Sequence, residues 1–194
     1  ASTASIYACD SLDDAGNPQD CEDAWPGELN TSLSAPGARA LIDENGHAEI
    51  PDTYTSIDKK AFYFNRDLYS VTIPNSVETI GDSAFSGTNL TSVTLPNSVT
   101  NLPWFNFSHS ELQTVQFGEN IANIGVYAFS DTNLTSVIIP NSVTTIGSNA
   151  FNDAPLNYVV IGSSVTSIGE DAFNAVDGDV FIMRPAEQNL SSND

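Results

Sequence analysis

The sequence predicts a repeat solenoid: a right-handed coil with parallel β-strands on one face, short turns on the other and little α-helix. Two observations predict it. An aliphatic residue recurs at Ile57, Ile80, Leu102, Ile124, Ile146 and Ile168, spaced by 23 residues once and then by 22 four times. Around it, repeats beginning at Leu68, Leu90, Leu112, Leu134 and Leu156 share L-x-x-V-x-I-P-x-S-V-x-x-I-G-x-x-A-F, cleanest in the stretch LTSVIIPNSVTTIGSNAF at 134–151.

Each part of the unit has a physical role. V-x-I alternates as a strand does, so Val71/Ile73, Val93/Leu95, Val115/Phe117, Val137/Ile139 and Val159/Ile161 face inward. The proline that follows (Pro74, Pro96, Pro140) has no N–H, so the ladder stops there. V-x-x-I and A-F return across the far side, with Val143, Ile146, Ala150 and Phe151 inward. Gly81, Gly125, Gly147 and Gly169 are expected to permit the bend between them. One unit buries too little apolar surface to offset its own ordering, so coils must stack about 4.8 Å apart as parallel strands. Crossovers between parallel strands wind right-handed.

This phrase resembles the BspA-like leucine-rich repeats, a bacterial and protozoan surface-protein family, from about Leu41 to Ile182. The resemblance implies a curved solenoid with the sheet on its concave face and turns or 3-10 segments on its convex face. It also implies a secreted or surface location and a binding or adhesive role, with no catalytic residues. Residues 1–40 then form an acidic N-terminal cap, 41–182 about six turns of 22–23 residues, and 183–194 a C-terminal tail or cap.

The formal charge is −20, with only five Lys plus Arg against 25 Asp plus Glu. Phosphate-rich partners and anionic membrane surfaces are excluded by repulsion. Such acidity fits a saline or calcium-rich extracellular setting, and equally fits simple solubility. No apolar run approaches the roughly 18 residues of a membrane span, and no signal peptide is present, so the start at Ala1 reads as a mature form.

The N-terminal segment holds both cysteines, Cys9 and Cys21, which form one disulfide in an oxidising compartment and remain free thiols in a reducing one. Clustered carboxylates there, among them Asp13, Asp14, Asp20 and Asp23 beside Gly16, offer oxygen ligands for calcium or simply a solvated acidic cap. LIDENGHAEI at 41–50 reads as a hairpin turning at Asn45-Gly46, whose second arm begins the ladder. His47, alone at that turn, reads as a surface residue.

The third turn replaces I-G-x-x-A-F by L-P-W-F-N-F, so Trp104 and Phe105 stand where other turns carry polar residues. They form either a contact patch or local packing over the neighbouring turn. Asn106 replaces a core alanine there. His109, with Ser108, Ser110 and Glu111, supplies hydrolase residue types without a nucleophile elbow, and no enzyme is expected.

The outward column of the sheet reads Glu49, Thr72, Thr94, Gln116, Ile138, Val160 and Phe181, polar at first and apolar at the end. With Tyr158 beside it, this end is either an interface or is covered by residues 183–194. Asn89 and Asn133, each opening N-L-T, are glycosylation acceptors if the host modifies secreted proteins, and otherwise turn residues.

The function expected is an extracellular, non-catalytic recognition or adhesion module. It binds protein or glycan, without cofactor unless calcium, through Trp104, Phe105, Ile138, Tyr158, Val160 and Phe181. The alternative is a subunit that assembles with its own copies.

Overall fold

The V-x-I triplets become strands, stacked coil upon coil. The computed structural model describes residues 7–12, 18–23, 31–174 and 179–182. A front column is made of His47–Glu49, Ser70–Thr72, Ser92–Thr94, Thr114–Gln116, Ser136–Ile139, Tyr158–Ile161 and Asp179–Ile182. Pairing is parallel and equivalent residues face each other, as in Ser136↔Tyr158↔Asp179 and Ile138↔Val160↔Phe181. The hydrogen-bonded ladder is in three pieces, interrupted after Ser70–Thr72 and after Thr114–Gln116.

A second column stands behind the first, where the sequence led us to expect only turns. Its two-residue strands are Ser32–Leu33, Ser56–Ile57, Thr79–Ile80, Asn101–Leu102, Asn123–Ile124, Thr145–Ile146 and Ser167–Ile168, parallel and in register in two runs that break between Ile80 and Asn101. The inward member of each pair through Ile146 is buried between the two columns. Asparagines stitch the coils outside: Asn97 and Asn141 side-chain carbonyls accept the N–H groups of Glu119 and Ser163, each at 2.8 Å.

The A-F step closes each coil. Phe62, Phe85, Phe107, Phe129, Phe151 and Phe173 form one continuous stack, with centroids 5.2–5.4 Å apart and planes within 10°. Backbone donors alternate along this step. Ala61 and Tyr63 N–H donate within the coil, to the Asp58 and Lys60 carbonyls at 3.1 Å each. Lys60, Phe62 and Phe64 N–H reach across to Asp82, Ala84 and Ser86 carbonyls at 3.0, 2.8 and 2.8 Å.

The glycines act differently from expectation. Gly81, Gly125, Gly147 and Gly169 have ordinary φ, but a Cβ would lie 2.3–2.6 Å from the backbone of the preceding coil. They are needed for close approach. The left-handed bend falls on Lys60, Ser83, Phe105, Tyr127, Asn149 and Asp171, just before the A-F step, with φ of 55–61°.

At the N-terminal end a short helix, Ala35–Ala40, buries Ala38 in the core. The hairpin at Asn45-Gly46 forms: Gly46 has φ 75°, and Asp43 N–H donates to the His47 carbonyl at 2.9 Å. Tyr7–Leu12 and Pro18–Asp23 pair antiparallel, which sets Cys9 opposite Cys21 in the backbone register.

Candidate recognition surface

The apolar end of the front column is assembled by register. Ile138, Val160 and Phe181 occupy adjacent strands at one level; Ile138 is 66% and Phe181 48% exposed, and Val160 is half-buried between them. Tyr158 adds its ring 5.5 Å from that of Phe181. In the upstream coils the same column carries Glu49, Thr72, Thr94 and Gln116, all exposed.

Trp104 and Phe105 are not on this column. They follow the rear strand Asn101–Leu102, so the six aromatic and apolar positions divide between two strips of the coil. Phe105 stacks on Tyr127 of the next coil, 4.9 Å away with planes 4° apart, and Trp104 stays 60% exposed. Asn106 is fully buried and does not disturb the turn: its Nδ2 donates to the Gly81 carbonyl at 3.0 Å, and Phe107 keeps its place in the stack. Its Oδ1 is buried without a partner.

The residues around His109 are structural. Ser108 and Ser110 are buried and donate to the Phe105 and Phe107 carbonyls at 3.1 and 2.6 Å. Thr88 and Thr132 do the same for Phe85 and Phe129, at 2.9 Å each. His109 itself faces Asp131 at 3.2 Å. Asn89 is half-buried, its amide donating to the Arg66 carbonyl at 2.6 Å, and exposed Asn133 donates to Glu111 at 2.7 Å. Asp13 and Asp14 lie outside the described residues, as does the tail at 183–194. Asp20 and Asp23 are described only as part of their strand.

His47 is more engaged than a lone surface residue. Its Nδ1 is 2.8 Å from the Ser70 hydroxyl and its Nε2 3.2 Å from the Glu49 carboxylate. The Thr72 hydroxyl, then His47, hold the Glu49 carboxyl below its ordinary range. This network spans two coils, and residues 23 apart gave no sign of it in sequence. Four of the five cations, Arg39, Lys59, Lys60 and Arg66, also gather in these first coils. Arg39 and Arg66 line a groove with the exposed rings of Phe64 and Tyr69.

Two parallel ladders, a phenylalanine stack and a 22-residue period define a leucine-rich repeat protein. Residues 49–177 match, in six copies, the family described as BspA type leucine rich repeat region, and the chain belongs to that family. A leucine-rich repeat protein from Eubacterium ventriosum is 21% identical over 73% of this chain, with a TM-score of 0.56. This chain spans 41% of that protein's length. A leucine rich cell surface protein from Faecalibacterium prausnitzii is 24% identical over 71% of this chain and 60% of its own, with a TM-score of 0.43. No curated protein matches the sequence. Among the described residues, no helix is long and apolar enough to cross a membrane.

Proposed function

We propose that the chain is the non-catalytic recognition module of a secreted or cell-surface protein, docking a protein or glycan through its front sheet. The observation that carries this is the in-register column Ile138, Val160 and Phe181 with Tyr158 beside it: contiguous apolar side chains held in water by a rigid sheet. Family membership supports the surface location. So does the register of Cys9 against Cys21, since directly opposed residues of an antiparallel pair lie about 4.5–5.5 Å apart, within disulfide reach. The test is a paired substitution, Ile138→Ser with Tyr158→Ser, assayed on immobilised matrix proteins and glycans. Binding should fall while the melting temperature holds. Unchanged binding would rule the column out.

A second reading, assembly with its own copies, rests on the last coil. Ile168 and Val180 are 45% and 46% exposed, whereas Ile146 and Val159, their partners one coil back, are 2% and 0% exposed. Among the described residues, this coil thus exposes positions that elsewhere form core, and exposed positions of that kind favour pairing with a second copy. Light scattering with and without calcium decides: growth with concentration supports assembly, and a constant monomer mass removes it.

A further inference from the structure

A groove of about 790 Å³ opens between the turn at 43–46 and the loop at 64–69 of the next coil. This loop is where the array departs from its own period. Six steps separate Phe62 from Leu68, against five from Phe85 to Leu90 and in each later coil, and the one 23-residue spacing results. The residues there depart as well. Phe64 holds a left-handed backbone, φ 52°, at a position the next coil gives to Gly87 and later coils to His109, Asp131 and Asp153, types that adopt it more readily than a bulky aromatic. A bulky residue in that conformation costs roughly 1–2 kcal/mol relative to glycine. Tyr69 stands where later coils carry Thr91, Gln113, Thr135 and Asn157.

The two rings pack locally, Phe64 edge-on to Tyr63 at 4.7 Å and against Gly87, and Tyr69 against Gly46, yet they are not core: Phe64 is 49% and Tyr69 53% exposed. The Arg66 guanidinium lies 5.7 Å over the Phe64 ring and donates to the Asn89 side-chain carbonyl at 3.4 Å. Arg39 and the carboxylates of Asp43, Glu44 and Asp67 also line the groove. The groove therefore offers flat apolar faces beside both charged donors and charged acceptors. Sugars match this, because each hydroxyl both donates and accepts while the C–H face of the ring is apolar. Three carboxylates against two guanidinium groups, on a chain of net charge −20, turn away acidic ligands.

We propose that this groove binds an uncharged oligosaccharide, with Phe64 and Tyr69 stacked under sugar rings and Arg39, Arg66 and Asp67 bonded to hydroxyls. The inference rests on the recognition reading of the chain but not on the front column. Its test uses an array of neutral hexose, N-acetylhexosamine, uronate and sulfated oligosaccharides, followed by calorimetric titration with the strongest neutral binder. Phe64→Gly and Tyr69→Thr restore what the next coil carries, and the first also relieves the left-handed backbone, so the melting temperature should hold or rise. Each should lower affinity roughly fivefold to tenfold. Failure of every neutral oligosaccharide to bind at millimolar concentration, preference for acidic sugars, or indifference to both substitutions overturns the groove. Binding lost only in the Ile138→Ser, Tyr158→Ser protein overturns it too, and leaves the recognition reading standing.

Discussion

The Phe85 ring lies 5.3 Å from that of Phe107, with planes only 2° apart. Neither ring meets solvent, and each is one member of a six-ring stack along the solenoid. The stack fixes coil spacing from inside while the two ladders fix it from outside. Phe107→Ala removes one ring and its contacts with both neighbours, a cavity the rigid coils cannot collapse around. The expected cost is about 3–5 kcal/mol by urea unfolding. A cost under about 1 kcal/mol would mean the stack is not what holds adjacent coils together.

Asn106 sits among these rings in place of alanine. One amide hydrogen bond is made, and the buried Oδ1 is left without a partner. The Gly81 carbonyl that Asn106 contacts also accepts from Ala84 N–H at 3.3 Å, so losing the amide leaves it bonded. Asn106→Ala should therefore stabilise the protein by about 1 kcal/mol, read as a raised melting temperature. A lowered one would show the amide bond to outweigh the unpaired carbonyl.

Gly81 and Ser83 separate two reasons for choosing glycine. Gly81→Ala pushes a Cβ to 2.3 Å from Lys59 N, backbone that cannot step aside, and should cost at least about 2 kcal/mol in chemical denaturation. Ser83→Gly relieves a left-handed φ of 57° and should leave stability equal or higher. The reverse ranking would place the constraint in the turn, where the sequence pattern first suggested it.

That contrast shows what the sequence carries. Period, strand register and core follow from V-x-I and A-F, because alternation and burial are local. The Thr79–Ile80 column did not show, since two residues are too few for a strand alternation and its pairing is wholly between coils. The division of Trp104 and Phe105 from Ile138 depends on where each falls around the coil, which a list of exposed residues omits. The groove had one signal, the lone 23-residue spacing at Phe62–Leu68, legible only as an irregularity until neighbouring coils stood side by side.

The Asp43 carboxylate makes a final prediction at that groove's edge. It accepts the N–H groups of Asn45 and His47 at 2.8 and 2.9 Å. The His47 N–H, then that of Asn45, hold its carboxyl below the ordinary range. The folded state thus favours the ionised form, and below a pH of about 4 the unfolded chain binds the proton more readily. The stabilisation is complete above that pH and is lost as pH falls through the depressed folded value. Asp43→Asn keeps an acceptor for both N–H groups but cannot titrate. The drop in melting temperature between about pH 5 and about pH 2.5 should therefore be smaller in the variant than in the parent. An identical drop would show that the turn's hydrogen bonds do not distinguish the two protonation states.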